Sequence, residues 1–479
     1  MKRMTLAALF AVLSGCAVGP DYRQPVAVTG DAFKQIARLT QAQRTDDPAN
    51  RGWVPVDSSR SALAPQWWLA FDDTTLDGLM ARLNADNLTI AQAEAQYRRA
   101  QAALQQTRAG FFPTLGGNAS VTRSGTGAGD TSSTGNDYSV SGAVSWEPDL
   151  WGRVRRSVQG SQAALQASAA DVAAVRLSLQ STLAQTYFRV LSADAQARLL
   201  DSTVNAYARS LAMVENRLRV GTVPQSDVEA ARTQLENARA RLLAQQRDRA
   251  QLENALAVLL GVPPSSFSLS GARSLPSVPT VPVGLPAQLL QRRPDVVAQE
   301  RRVAQANAQI GVAQAAWFPD LTLSAQAGFR SGQWAQWLTA PASFWALGPA
   351  LALTLFDGGA REAQLQDARA AYDEAVAGYR QTVLDALREV EDYLVALDLL
   401  GQEQRVQERA LTAARSSLRL TQNQFDAGLI DYLSVVQVET AAFDAEREAL
   451  GLQLDRLLAG VQLVTALGGG WEASSSPGE

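Results

Sequence analysis

The chain repeats itself, and that repetition constrains everything else about it. Phe111-Phe112-Pro113-Thr114-Leu115 returns as Trp317-Phe318-Pro319-Asp320-Leu321, 206 residues later. Tyr187 and Tyr393 stand at the same offset. Gly221 and Gly428, and Leu260-Gly261 and Leu467-Gly468, stand at 207. One offset held over four landmarks, with one slipped residue, marks an internal duplication. Each half must therefore be built from the same elements. The pattern reads helix, two strands, very long helix, turn, long helix. Between the halves, Pro263 to Pro286 is rich in Pro, Ser and Gly and reads as an extended linker.

The helices are too long for an ordinary globular domain. No proline occurs between Pro349 and Pro477. Within that run Leu365, Ala368, Tyr372, Val376, Tyr379, Val383, Leu387, Val390, Leu394 and Leu397 recur at steps of three and four. Their mean spacing of about 3.6 residues is that of an amphipathic helix with little supercoil drift. A helix over about 361–426 would be ~100 Å long at 1.5 Å per residue. The first half offers a comparable helix over about 157–219. The second helices fall over about 225–260 and 431–467. Periodicity alone also fits a soluble coiled-coil rod.

Between the helices the period changes to two. Leu115, Gly117, Ala119 and Val121 alternate with Asn118, Ser120 and Thr122. Tyr138, Val140, Gly142, Val144 and Trp146 oppose Ser139, Ser141 and Ser145. Leu321, Leu323, Ala325, Ala327 and Phe329 oppose Thr322, Ser324 and Gln326, and Trp345, Leu347, Leu351, Leu353 and Leu355 alternate with small residues. Strands are expected over about 114–124, 137–147, 320–330 and 343–356. Segments of ~10 residues suit tilted strands crossing an outer membrane. Trp146, Trp151, Trp317 and Phe318 gather near one end, and Tyr138, Phe329, Trp334, Trp337 and Phe344 near the other, like two aromatic girdles. A transmembrane helix rivals the fourth strand, because Ser331 to Phe356 carries no charge. Pro341, Gly348-Pro349 and the alternation count against it.

The strand pairs are joined by Arg123–Asn136 and Arg330–Pro341, and the first loop is rich in Gly, Ser and Thr. Four strands cannot close a barrel, whose smallest known form has about eight. Copies of the chain must share one: two would give eight strands and three would give twelve. All four strands enter and leave on one side, so the long helices project together from it.

Composition narrows the chemistry. The 479 residues include no His and one Cys. That excludes Ser-His-Asp and Cys-His catalysis, imidazole metal sites, internal disulfides and thiolate zinc clusters. The formal charge of −4 gives no nucleic-acid footprint. A mean hydropathy of −0.10 does not suggest a polytopic helical membrane protein, but a transmembrane barrel leaves little hydropathy signal. No catalytic site and no metal site are expected. The N-terminus, Met1 to Cys16, has a basic start (Lys2, Arg3) and a short apolar run from Thr5 to Leu13. Leu13-Ser14-Gly15-Cys16 resembles a bacterial lipobox. Cys16 is then a lipid anchor carrying an N-acyl diacylglyceryl group, and more than one acyl chain gives stable attachment. Ala17, where an Asp often signals inner-membrane retention, favours the outer membrane. The expected organisation is a signal peptide over 1–15, a lipidated extended segment over 16–72, a first repeat over 73–262 and the linker over 263–286. A second repeat over 287–470 and a disordered tail over 471–479 complete it.

With these features in order, the chain resembles the TolC-like outer membrane efflux protein family, in its OprM/NodT-like lipoprotein branch. The landmarks are Gly19-Pro20-Asp21-Tyr22, Trp67-Trp68 with Phe71, Asp72 and Leu76, and Asp149-Leu150-Trp151-Gly152-Arg153. Leu259-Leu260-Gly261-Val262-Pro263, Arg293-Pro294-Asp295 and Ala304–Ala315 leading into Trp317-Phe318-Pro319 complete the set. The resemblance implies an α+β membrane protein: a homotrimer whose 12-stranded transmembrane β-barrel, four strands per chain, continues as a long periplasmic α-helical barrel. It implies passive export as the exit duct of a tripartite pump, with a periplasmic adaptor (membrane fusion protein) and an inner-membrane transporter of the resistance-nodulation-division (RND) class. The expected cargo is drugs or other small toxic compounds; type I protein secretion is the alternative within the class. A lipid-anchored periplasmic scaffold is the alternative outside it.

The resemblance also assigns residues. Each long helix pair turns at a glycine, Arg219-Val220-Gly221-Thr222 and Asp426-Ala427-Gly428-Leu429. Gly supplies the left-handed conformation that reverses a chain. In the family these turns form the periplasmic tip, where the adaptor docks and the duct narrows. Gly221, Thr222, Gly428 and Leu429 are thereby the adaptor contacts. Asp227, Asp431, Leu433, Ser434 and Gln437 are the candidate pore gate. Family members often carry Asp at one of the last two positions; here both are neutral, and Phe425 stands where Tyr is frequent. Asp227 and Asp431 also suit the start of a helix, where the macrodipole favours acids. Asp149, Gly152 and Arg153 read as turn and packing residues, and Arg292-Arg293-Pro294-Asp295 as a helix start.

Overall fold

The computed structural model describes residues 17–27, 30, 33–34, 53–55, 66–127, 133–270, 274–279, 281–283 and 292–471. The signal peptide, Cys16 and all of the tail but residue 471 lie outside the described residues. Two compact units are formed, each from several chain segments. One holds residues 1–26, 95–169 and 298–381; the other holds 27–94, 170–297 and 382–479.

The strands of the first unit are β2 (Thr114–Thr126), β3 (Ser133–Trp146), β5 (Asp320–Ser331) and β6 (Ser343–Ala352). They form one antiparallel sheet in the order β2-β3-β5-β6. Its register aligns like with like. Leu115, Val144, Ala325 and Leu347 are paired across all four strands, as are Gly117, Gly142, Ala327 and Trp345. The other face carries Asn118 opposite Ser141 and Ser120 opposite Ser139, whose hydroxyls are 2.8 Å apart. Gln326 reaches the Ser141 hydroxyl at 3.3 Å. Below Thr122 one face is therefore apolar and the other polar or small, the pattern of a barrel wall between lipid and a wet lumen. Leu115, Trp345, Leu347 and Leu351 are exposed in the single chain.

Two strand boundaries differ from the sequence reading. The first hairpin ladder continues to Thr126 opposite Ser133, so the expected loop over Arg123–Asn136 shortens to a tip. Polar Ser, Thr and Gly residues pair as readily as apolar ones above the apolar band. Conversely β6 stops at Ala352, leaving Leu353 to Phe356 outside the sheet. Ala352 pairs with Asp320, the first residue of β5, and the ladder has no partner beyond it. The Ser331–Phe356 segment is strand and short turns, and no helix among the described residues is long and apolar enough to cross a membrane.

Aromatic groups occupy both ends of the sheet. Tyr138, Trp334 and Trp337 cluster with centroids 5.0–6.3 Å apart. At the opposite end Trp151 stacks on Phe318 at 4.8 Å and donates to the Pro319 carbonyl at 2.8 Å. Trp146 donates to Phe111 O at 3.0 Å.

The helices are α1 (Thr74–Asp86), α2 (Leu88–Ala109), α3 (Arg153–Arg219), α4 (Gln225–Leu259), α5 (Pro294–Ala315), α6 (Ala360–Asp426) and α7 (Tyr432–Ala466). The first repeat thus opens with two helices rather than one, divided at Asn87. Its side chain caps α2 by accepting from Thr89 N and Ile90 N. The α3 helix starts at Arg153, not Ser157, because Asp149 accepts from the free amides of Val154 and Arg155, both at 2.9 Å. Arg153 pairs with Glu147.

The core of the second unit packs Trp67, Trp68, Phe71, Leu76 and Met80 against Leu183, Tyr187, Phe188, Leu394 and Leu463. The two segments read as extended also meet in this unit. β1 (Trp53–Pro55), from the N-terminal segment, pairs in parallel with β4 (Val281–Val283), from the linker. The duplication is visible atom by atom. Gly261 and Gly468 end α4 and α7 with positive φ. A Cβ at Gly261 would lie 2.5 Å from Asp86 O, and one at Gly468 would lie 2.1 Å from Arg292 O. Beside them Asn87 donates to Leu259 O at 2.7 Å and Arg293 donates to Ala466 O at 3.3 Å. These are equivalent positions of the two repeats, and each closes a helix end against the start of another helix.

Candidate functional site

The paired turns below α3 and α6 are built alike. Gly221 N donates to Leu218 O and Thr222 N to Arg217 O, at 2.9 and 3.0 Å. Gly428 N donates to Phe425 O and Leu429 N to Gln424 O, both at 2.9 Å. Both are Schellman closures, and Gly221 and Gly428 take the left-handed φ of 73° and 72° that such closures require. Nothing lies within 4 Å of a Cβ placed on either glycine. The turns are therefore open surface, with Val220 and Leu429 each about three-quarters exposed.

Behind the turns is a small separate core. Val214, Val228, Ala231, Phe425, Tyr432, Val435 and Val436 pack together from α3, α4, the end of α6 and α7. Arg217 ties the turns to one another. Its guanidinium lies 4.1 Å over the Phe425 ring, donates to Phe425 O at 3.1 Å and approaches Asp426 at 3.9 Å. The Tyr432 hydroxyl meets the Ser210 hydroxyl at 2.9 Å inside the bundle.

The candidate gate residues separate into two kinds. Leu433 and Gln437 are exposed on one stripe of α7, one turn apart. Ser434 and Asp431 are engaged with each other. Asp431 is the N-cap of α7 and accepts from Ser434 N at 3.0 Å and Ser434 Oγ at 2.6 Å. Those bonds hold its carboxyl below the usual carboxylate range. Asp227 sits in the first turn of α4, where the helix dipole favours it. Phe425 is buried in the tip core rather than facing outward.

Three residues of this site carry no sequence signal. Arg217 and Tyr432 lie where the two repeats differ, so the repeat arithmetic passes over them, and Ser210 is one of many serines along α3. Glu439 is a fourth. It is buried two turns above Tyr432, and its Oε2 has no hydrogen-bond partner among the described residues. Burial pushes its carboxyl up to about 7. A wider hydrophobic count on α7 would have placed it on the buried stripe with Tyr432, Val435, Val436, Ala442 and Phe443.

The chain as a whole is similar to known proteins. The model of the outer membrane efflux protein family matches residues 79–262 and 285–469, one match to each repeat. The chain is 33% identical over 473 residues to the solvent efflux pump outer membrane protein SrpC of Pseudomonas putida, covering 97% of each chain. It is 29% identical over 463 residues to the cation efflux system protein CusC of Escherichia coli K12, covering 96% of this chain and 97% of the other. Among solved structures it superposes on the outer-membrane channel OprN with a TM-score of 0.85 at 29% identity, over 95% of this chain and all of that one. The open state of the MtrE outer membrane channel of Neisseria gonorrhoeae gives 0.82 at 26% identity, over 96% and 100%. A duplicated chain with a two-faced sheet, matched end to end by such channels, is a member of the outer membrane efflux protein family and an outer membrane efflux channel.

Proposed function

We propose that this chain is the passive exit duct of a tripartite, RND-type efflux system and acts as a homotrimer. The observation that carries this reading is the two-faced sheet. It has four strands, and among the described residues β2 and β6 each pair on one side only. Three copies bring those edges together into twelve strands, with the apolar face to lipid and the polar face inward. A periplasmic scaffold would have no use for an exposed apolar sheet face.

In this reading Cys16 carries the lipid, and Gly221, Thr222, Gly428 and Leu429 present the tip to the periplasmic adaptor. The inner-membrane pump supplies the energy, and the duct itself catalyses nothing. Leu433 and Gln437 line the constriction. With Ser434 and Gln437 neutral, the passage lacks the acidic ring that would select cations, which favours small organic compounds, the class named for the solvent pump relative, over metal ions as cargo.

Purified protein in planar lipid bilayers tests the assignment. The resting channel is expected to conduct poorly, and Leu433→Ala is expected to raise its conductance by widening the apolar ring. Asp431→Ala removes a helix cap worth about 1 kcal/mol and is expected to raise the open fraction. If both variants conduct like the parent, the constriction lies elsewhere.

A further inference from the structure

Two stretches of the sequence are left unused by the duct reading, the landmark Gly19-Pro20-Asp21-Tyr22 and the start of α3, Arg153-Val154-Arg155-Arg156. In the first unit they meet. Residues 17–22 run as a strap, and the carbonyls of Val18, Gly19 and Pro20 are each held by a side chain. Val18 N donates to Trp151 O at 3.0 Å. Arg156, which is 4% exposed, donates through Nε to Val18 O at 3.1 Å. Its Nη2 donates to Gly19 O at 2.8 Å and Asp21 Oδ1 at 3.0 Å, and its Nη1 to Gln159 Oε1 at 3.0 Å. Asn307 donates to Pro20 O at 3.0 Å, and Tyr22 donates to the buried Glu300.

The path is cleared by missing side chains. Gly19 has a φ of +104°, and a Cβ there would lie 2.5 Å from Gly311 Cα. A Cβ on Gly311 would lie 2.8–3.0 Å from the Arg156 side chain, and one on Gly152 would lie 2.9 Å from the Ala17 Cβ.

Burying an arginine is costly unless its donors are satisfied. Asp21, almost fully exposed, returns little as an ion partner. The gain comes instead from two backbone carbonyls captured by a planar fork, which fixes where the strap lies along α3. That register sets Ala17 against Gly152, at the elbow where the chain passes from β3 into α3. Ala17 directly follows Cys16.

We propose that Arg156 is the positioning residue of the membrane anchor: by clasping Val18–Asp21 it holds the acylated end at the β3–α3 elbow, so that the lipid sets the depth at which the sheet enters the bilayer. The inference rests on the acylation of Cys16 proposed above. Without the clasp, six residues of extended strap reach ~20 Å, about two-thirds of the ~30 Å hydrocarbon thickness, and the lipid would tether without placing.

The test is a cycle in the full-length chain. Arg156→Gln is made in the natural protein and in Cys16→Ser carried behind a non-lipoprotein export signal. Radiolabelled palmitate, heat-resistant trimers in the outer membrane, and trypsin cleavage after the exposed Arg23 are measured. In the acylated chain Arg156→Gln is expected to leave palmitate incorporation unchanged, to cut inserted trimers about tenfold and to speed cleavage at Arg23. Arg156→Lys, with one donor group in place of a fork, is expected to fall between. In the Cys16→Ser chain the same substitution is expected to change trimer yield little further. Gly19→Ala, which evicts the strap without touching Arg156, is expected to reproduce the loss. An equal loss in both backgrounds makes Arg156 a staple of the fold and overturns the inference, as does no loss in either. Absence of palmitate from the parent chain overturns the acylation reading itself, and the inference with it.

Discussion

Replacing Arg293 with alanine is expected to destabilise the joint between the start of α5 and the end of α7 by about 2–3 kcal/mol. Arg293 is nearly buried, and its guanidinium forks onto Asp295 at 2.6 and 3.0 Å, reaches Glu389 at 2.6 Å and donates to Ala466 O at 3.3 Å. Burial works against its charge, and the bonds to Asp295 and Glu389 outweigh that burial, so its pKa is raised. Removing it strands two carboxylates and leaves the last carbonyls of α7 one donor short. Both carboxylates are about a third exposed, so solvent softens the loss below that of a fully buried pair. Asn87 shows which part of the network is general, since the first repeat closes the same joint with a neutral amide. Arg293→Asn is therefore expected to recover part of the loss by restoring the bond to Ala466 O. Arg293→Lys is expected to recover less than half, having no fork for Asp295. Hydrogen exchange of the amides over 455–470, in detergent-solubilised protein, reads the local opening free energy. Exchange unchanged from the parent in Arg293→Ala would remove the network from any part in closing that joint.

The sequence made the periodic parts of this molecule legible and was silent where periodicity fails. The 67-residue helix α6 announces itself because more than thirty residues of consistent 3.6-fold spacing, Leu365 to Leu397, exclude a strand. The strands were legible because their two faces differ. Where both faces become polar, above Thr122, the ladder continued unseen, since hydrogen bonding between backbones leaves no mark on composition. β6 was overextended for the opposite reason: Leu353 and Leu355 keep the alternation, but the partner strand has ended. At the tip, the glycines were found through the one conformation their turns need. Arg217 and Ser210 were not, because what they do depends on Phe425 and Tyr432, which are more than two hundred residues away in the chain. Contacts across such distances follow from topology, and a pattern along the chain does not encode them.

Glu439 belongs to the same class, and it makes the tip sensitive to pH. Tyr207 of α3 and Tyr432 of α7 face it, while Arg241 of α4 is engaged over the Phe443 ring at 5.7 Å. Its carboxyl, ordinarily near 4.5, stands at about 7 because burial penalises the charge. The folded chain therefore binds this proton more tightly than the unfolded chain does. Stability contributed here is full below the unfolded value, falls as pH rises from about 4.5 through 7, and is level above that. The span corresponds to roughly 3 kcal/mol, an upper figure for a site whose helices can part slightly to admit water. Glu439→Gln keeps the shape and cannot ionise. At pH 8 it is expected to slow hydrogen exchange of the amides over 432–443 by about tenfold or more relative to the parent, and at pH 5 to change it little. Comparing parent and variant at each pH cancels the intrinsic exchange chemistry. A ratio that stays constant from pH 5 to 8 would mean that Glu439 is already charged or already paired in the folded tip. A ratio that grows with pH would place a titrating carboxylate two helical turns above Tyr432, on the same helix as Leu433 and Gln437, the residues proposed to line the constriction.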